Sequence, residues 1–338
     1  MPELFQTVYG RGLIPELKAF VHRPYLVVTM EDLWPLFAGD FDDGLAGPYL
    51  VRSLERTDLD AEMAGLPPFA CVVGLGGGQA LDVAKYVAWK TRRPLFQVPT
   101  AMSVNAAFGH RAAVRVDGVV RYVAYAVPEA VYVDFDVVRA APLLLNRSGV
   151  GDVLCYHTAH WDWKMAADRG RCEPRWPYDP RLVAEAEVAL DRVIEAADEI
   201  HDVTDDGIRA LMESLRWGGA AFHNAGWNPR HIEGSDHFVF YGLEYLTGKH
   251  FVHGQPVCLG MLLMSALQDN EPERMKAVCD RVGVPYHPAE MGVTWGDVAA
   301  ALRALPGFVD KAGLWYTVAS DRPITEEFIA RMRDWLGD

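Results

Sequence analysis

Four short runs, at residues 25–30 (YLVVTM), 69–74 (FACVVG), 95–98 (LFQV) and 131–134 (VYVD), are apolar almost without interruption. That is the pattern of parallel strands covered on both faces; a strand with one wet face alternates instead. Between the second and third runs, residues 79–90 set Ala80, Val83, Ala84 and Val87 at helical spacing, so strand, helix and strand follow one another as in an open α/β sheet. Residues 112–125 hold two alternating runs joined by Asp117-Gly118, which predicts a hairpin. Beyond Asn146 the pattern changes. Residues 182–200, 205–221, 256–268, 271–282 and 325–336 carry apolar positions at helical periods, with polar connections such as 167–179 between them. The expected architecture is an α/β domain over residues 1–145 followed by an all-α domain over 146–338. Two such lobes imply a cleft, the usual place for a small ligand.

A length of 338 residues agrees with two domains, and a core of that size needs no disulfide staples. Asp and Glu number 46 against 32 Lys and Arg, a formal charge of −14, and no basic block interrupts the excess. Neither a nucleic-acid surface nor an anionic-membrane surface is expected from that balance. The five cysteines, Cys71, Cys155, Cys172, Cys258 and Cys279, form no CxxC pair and leave one unpaired, so a reducing compartment is the simplest reading. The opening MPELFQTVYGRGLIPEL lacks a basic stretch followed by an apolar one, and no window of 18 residues is apolar throughout. A soluble, cytoplasmic protein is expected.

Glycine and histidine change the picture because they cluster. Residues 69–85 read FACVVGLGGGQALDVAK, a buried strand followed at once by Gly74, Gly76, Gly77 and Gly78 and then a helix with Asp82. Glycines let the main chain approach a ligand, and a new helix points free N–H groups at an anion such as a diphosphate. The string departs from GxGxxG, and no Gly-Lys-Ser/Thr follows to make a Walker A loop. A tight turn without ligand is the alternative. His231, His237, His250 and His253 fall within 23 positions, and His157 and His160 follow Asp152. One carboxylate with two imidazoles would leave positions open on Zn²⁺ or Fe²⁺. Neither HExxH nor a CxxC pair selects which residues those are, and a lone buried histidine is more often a hydrogen-bonded core residue.

Several of these strings together resemble the iron-containing alcohol dehydrogenase and dehydroquinate synthase superfamily: GLGGGQALDVAK, the following VPT at 98–100, GVGDVL around Asp152, and the GSDH and HG pair. The likeness is greatest to the sn-glycerol-1-phosphate dehydrogenases, through PTAMSVNAAFGHRAAV at 99–114, Ala141-Pro142, Gly151-Asp152, Thr158-Ala159, Asp162-Trp163, and Arg230 seven positions before His237. It spans roughly residues 69–264, in order. The resemblance implies a dinucleotide-binding first domain and a helical second domain holding metal and substrate. Gly76, Gly77, Gly78 and Asp82 would meet NAD or NADP, Thr100 and Ser103 would line its nicotinamide half, and Asp152, His237 and His253 would hold one divalent metal, Zn²⁺ ahead of Fe²⁺. An acidic residue reading the ribose 2′-OH would stand at Glu31 or Asp32, and NAD and NADP both stay open. Tyr156 stands four residues after Asp152, where some alcohol dehydrogenases place a further His ligand, so a three-ligand site is expected.

The departures bear on the substrate. Where the family has an aspartate after Pro-Thr, this chain has Asn105, which cannot accept a proton as a carboxylate does. Before Arg230 the family's small Gly-Ser-Ser becomes Gly226, Trp227 and Asn228, and the residues after it become His231, Ile232 and Glu233; Trp227 and Glu233 make that wall bulkier and more acidic. Asn105, His110, Arg111 and Arg230 are the candidates for catalytic and substrate contacts, with Lys164 a further cation for a phosphate or carboxylate. The resemblance implies an NAD(P)- and metal-dependent dehydrogenase acting on a polyol or polyol phosphate other than glycerol-1-phosphate itself, and a homo-oligomer. The alternative is a sugar-phosphate cyclase of the dehydroquinate synthase type, using NAD transiently. Asp152 in place of that group's Glu, and Arg111 without its Gly-Gly-Lys, count against it. A non-catalytic protein that kept the fold is the third reading, opposed by the intact ligand set.

Overall fold

The computed structural model describes residues 5–19 and 21–337. The chain divides between Pro142 and Leu143 into two compact units. The first unit contains strands β1 (Gln6–Gly10), β2 (Tyr25–Met30), β3 (Leu45–Val51), β4 (Cys71–Gly76), β5 (Leu95–Pro99), β6 (Ala112–Val116), β7 (Val119–Val123) and β8 (Ala130–Asp134). Six of them form one sheet in the order β1-β8-β5-β4-β2-β3, with every pairing parallel. Successive residues alternate between two cores. Leu26, Val28, Val72 and Leu95 pack with Val83, Ala84 and Val87 of the Gly78–Thr91 helix on one face, while Tyr25, Val27, Cys71, Val73, Phe96 and Val98 fill the other. Both faces are dry, which is why the runs are uninterruptedly apolar.

Strands β1 and β3 carry no such run. They are the two edges of the sheet, only partly buried, and β3 includes Pro48, which an edge tolerates. Strand β4 lies two residues later than its apolar run, because Gly74 and Gly76 still pair with Gln97 and Pro99 of β5. Gly74 is there for packing: a Cβ would stand 2.3 Å from Gln97 Oε1 and 2.7 Å from Ala84 Cβ. The expected hairpin is β6–β7, antiparallel, with Asp117 at φ 55 and Gly118 at φ 77. Positive φ at both central residues is what a type I′ turn requires.

Among its described residues the second unit has no strand. Helices Asp205–Asn224, Gly254–Gln268, Pro272–Val282 and Glu326–Leu336 lie over the expected ones. The expected helix 182–200 is two, Pro180–Glu195 and Ala197–His201, broken at Ala196, and it starts earlier because the Asp179 side chain caps Arg181 N with Pro180 in the first turn. The Asp152 segment is likewise two helices, Gly151–Leu154 and Tyr156–Asp168. Two long helices were not read from the sequence, nor were the short Leu143–Ser148 and Val318–Asp321. Trp295–Ala312 carries a Thr294/Asp297 capping box that was legible. Ser235–Thr247 has no side-chain cap of its own; the Asp162 carboxylate, from another helix, accepts from Ser235 N at 2.8 Å. None of the described helices is long and apolar enough to cross a membrane.

Candidate metal centre and cofactor turn

In the first unit, β4 delivers the chain into the glycine turn. Gly76 has φ 151, and a Cβ there would stand 2.8 Å from Ala80 Cβ, so the strand can meet the helix only with glycine at this position. Gly77 is the N-cap of the Gly78–Thr91 helix and offers no side chain to cap it, which leaves the first N–H groups for a ligand. Thr100 N donates to Gly76 O at 3.0 Å, and Ser103 Oγ lies 4.0 Å from where a Gly77 Cβ would stand. Gly76, Gly77, Thr100 and Ser103 are thus neighbours, and Gly78 packs against Val104 Cγ2. That cradle of bare backbone at an uncapped helix start fits a dinucleotide's diphosphate. Asp82 is engaged otherwise. It is buried, its ionised form penalised by that burial and supported by Lys85 at 2.6 Å and the Ala113 N–H, while Lys85 Nζ also donates to Arg111 O at 2.6 Å. The Asp82–Lys85 pair therefore ties the helix to the start of β6.

Three side chains converge in the second unit. Asp152, His237 and His253 each present a ligand atom, all within 4.8 Å of one another. Asp152 Oδ1 and His253 Nε2 are 2.9 Å apart. Three glycines on two helices make the convergence possible. A Cβ on Gly254 would overlap Ser148 O at 1.6 Å, one on Gly151 would stand 2.7 Å from Gly254 Cα, and one on Gly260 would stand 2.3 Å from Asp236 O. Backbone therefore lies against backbone where the Asp152, His237 and His253 segments cross. His237 is backed by Asp236, whose Oδ1 takes both the His237 backbone N–H and the ring Nδ1, while Oδ2 accepts from Thr158 Oγ1 at 2.6 Å. Held at Nδ1, the ring turns Nε2 to a ligand, the arrangement that orients metal-bound histidines. Burial would lower the His237 pKa; the Asp236 hydrogen bond and the charges of Glu233, Asp236 and Asp152 outweigh it and raise it to about 9. A site that drives an imidazole to protonate favours a cation, so two imidazoles and a carboxylate here fit a divalent metal.

The structure gives the expected anion-binding cations other partners. Arg230 is fully buried, its Nε and Nη2 on Glu173 at 2.7 and 3.1 Å and its Nη1 on Tyr316 O at 3.0 Å. Arg111 Nη1 donates to Tyr122 O at 3.1 Å, pinning the hairpin, and Lys164 pairs with Asp168. His110 is buried with edge-on contacts to the Phe5 and Tyr125 rings. Asn105 opens the short turn Asn105–Ala107, its carbonyl taking the N–H groups of Phe108 and Gly109. Arg230→Ala leaves Glu173 without its partner, and we expect it to cost roughly 3 kcal/mol in urea unfolding. A loss below about 1 kcal/mol would mark the pair as no more than a surface ion pair.

The family model for iron-containing alcohol dehydrogenases matches residues 50–142. The glycerol-1-phosphate dehydrogenase [NAD(P)+] of Hyperthermus butylicus is 30% identical over 311 residues, covering 88% of this chain and 87% of that one. The chain belongs to the glycerol-1-phosphate dehydrogenase family of iron-containing alcohol dehydrogenases. The family member of Sulfurisphaera tokodaii is 28% identical over 341 residues, 96% of this chain and 94% of its own. A solved structure of a probable glycerol dehydrogenase from Sinorhizobium meliloti 1021 shares the fold, with TM-score 0.74 at 21% identity over 99% of this chain and 98% of that one. So does the glycerol dehydrogenase of Schizosaccharomyces pombe, with TM-score 0.73 at 18% identity over 99% and 93%. Membership in this dehydrogenase family makes the chain an NAD(P)- and metal-dependent oxidoreductase of CH–OH groups.

Sequence reasoning passed over two residues that support the candidate metal centre. Asp236 is adjacent to a candidate ligand, and an Asp-His pair at the start of a helix was the available signal. Asp162 reaches the same helix from a distance: its Oδ2 caps Ser235, its Oδ1 takes Val318 N at 2.8 Å, and burial raises its pKa to about 6. Beside it, His160 and His231 are buried among Tyr156, Trp217 and Trp163. Burial lowers His160 to about 3 and His231 to about 4, from an ordinary 6.5. Both stay neutral in the folded chain while the unfolded chain protonates them below 6.5, so the stability present above that pH is lost as pH falls toward 4 and then 3. Each pH unit in that window costs about 1.4 kcal/mol per histidine. Urea midpoints of the metal-free protein should be highest near pH 6.5, falling toward pH 5 as His160 and His231 outweigh the opposing Asp162, and falling toward pH 8 as the raised His237 imidazole loses its proton advantage; a profile flat from 6.5 to 5 would mean that the two histidines protonate in place.

Proposed function

We propose that the chain interconverts a secondary or primary alcohol of a polyol and its carbonyl form, using NAD or NADP and one divalent metal at Asp152, His237 and His253. The observation that carries this is the convergence of those three donors with Asp236 behind His237. When bound, the metal supplies the Lewis acidity that lowers an alcohol's pKa, and the nicotinamide supplies the hydride acceptor. The protein's own part is positional. Gly76, Gly77 and Gly78 open the helix start to the diphosphate, with Thr100 and Ser103 beside them, while Asp82 holds the helix through Lys85. Asp236 fixes the His237 tautomer, and Asp162 and Thr158 hold the start of that helix and the Asp236 carboxylate. Asn105 carries an amide and takes no proton; its part is in shaping the turn after β5.

Two imidazoles and one carboxylate suit Zn²⁺ and Fe²⁺, and we place Zn²⁺ first because three protein donors with an open fourth position make its usual catalytic set. The reading includes a cytoplasmic homo-oligomer, on the family's account. Metal analysis of protein purified without chelator is the test. About one divalent ion per chain is expected, whereas a site that stays empty after incubation with Zn²⁺ or Fe²⁺ would overturn the proposal.

A further inference from the structure

We infer that the Glu233 carboxylate, held by the Tyr241 hydroxyl beside the metal centre, receives a hydroxyl of an uncharged polyol and turns phosphorylated polyols away. This rests on the dehydrogenase reading above and narrows its substrate class.

Glu233 ends the turn that begins at Pro229, its N–H bonded to Pro229 O at 2.9 Å, and lies four residues before His237. Tyr241 lies four residues after His237 on the Ser235–Thr247 helix, so it occupies the same face one turn on, with the two rings 6.0 Å apart. The Tyr241 hydroxyl donates to Glu233 Oε1. Glu233 and Tyr241 thus lie beside His237, close enough for the Glu233 charge to act on its ring. Both side chains are half-buried, which leaves them within reach of a ligand. Glu233 is not one of the three groups whose ligand atoms converge, so it stands beside the centre and not in the donor set. With one oxygen taken by Tyr241, the carboxylate still has lone pairs to offer. A hydroxyl donor matches them; a phosphate dianion brings only acceptors and like charge.

The cations support the same conclusion. Arg230 is spent on Glu173 and Tyr316 O, Lys164 on Asp168, and Arg111 on Tyr122 O. Those three side chains are bonded to protein, and the turn next to His237 carries the Glu233 carboxylate. Like charge at close range in a half-buried site discriminates by a factor on the order of tenfold to a hundredfold.

The test compares kcat/KM for glycerol, erythritol and myo-inositol with that for their monophosphates, with NAD and NADP, in the zinc-loaded protein and in Glu233→Gln and Glu233→Ser. Calorimetry of glycerol-1-phosphate binding to the same three proteins gives a readout separate from turnover. We expect the unaltered chain to favour an uncharged polyol by at least about tenfold, and both variants to shrink that preference and tighten glycerol-1-phosphate binding by a similar factor. Glutamine keeps the shape and removes the charge, so it decides the matter if the serine variant does not fold. Preference of the unaltered chain for a monophosphate, or an unchanged ratio and affinity in Glu233→Gln, would overturn the inference and leave the dehydrogenase reading standing. Turnover of none of the six compounds by the unaltered chain would remove both.

Discussion

His237→Ala should abolish polyol oxidation, lowering kcat/KM on the order of 10³-fold or more, because the Lewis acid is worth several kcal/mol of transition-state stabilisation. The same protein should lose most of its bound metal while keeping its far-ultraviolet circular dichroism. Because the pairing that raises this imidazole to about 9 is itself stabilising, the variant should also melt at a lower temperature, its Asp236 carboxylate having lost the ring. Asp236→Asn is the graded companion. It keeps the shape but offers only one acceptor oxygen, where the carboxylate takes the His237 N–H and ring on one oxygen and Thr158 on the other. Its expected cost is about tenfold to a hundredfold in metal affinity. Wild-type metal content in His237→Ala would show that the three donors are not the site.

The second large effect is expected at Gly254. A Cβ there would lie 1.6 Å from the Ser148 carbonyl oxygen, a backbone atom that no side-chain rotation can move away. Gly254→Ala must push the helix bearing His253 off the segment before Asp152, and overpacking against backbone should exceed the usual 1–3 kcal/mol. We expect a chain that is mostly unfolded at 37 °C, or a folded one without metal. Gly307→Ala serves as control: it too is helical, a Cβ there meets nothing within 4 Å, and its effect should be neutral or slightly stabilising. Equal melting temperatures for the two variants would mean that the helices are not as tightly apposed as described.

These two predictions also show which parts of the molecule were legible in the sequence. The parallel core strands were, because both faces of the sheet are dry and every residue in a run must be apolar; the edges β1 and β3 were not, because half their surroundings are solvent. The hairpin was fixed by two residues, Asp117 and Gly118. The glycine turn could be read as an anion cradle from composition alone, but the inward role of Asp82 could not, since it depends on Lys85 and the backbone of a strand some thirty positions away. At the candidate metal centre the residues alone left the ligands open, and only the ordered likeness to a family selected Asp152, His237 and His253. What brings them together is a set of backbone contacts at Gly151, Gly254 and Gly260, and glycine in a helix looks the same in a sequence whether it is packed or exposed. Arg230 illustrates the converse: its place seven positions before His237 suggested an anion contact, while its bonds to Glu173 and Tyr316 depend on a loop and a helix far off in the chain.

The most direct test of the central claim is the reduced-nicotinamide absorbance of the zinc-loaded protein during conversion of a polyol that it turns over. A rise that is stoichiometric with carbonyl product, lost on chelation and restored by Zn²⁺ or Fe²⁺, is the predicted result. Product formed with no net change in the nicotinamide, as a cyclase that borrows NAD within each cycle would give, would contradict it.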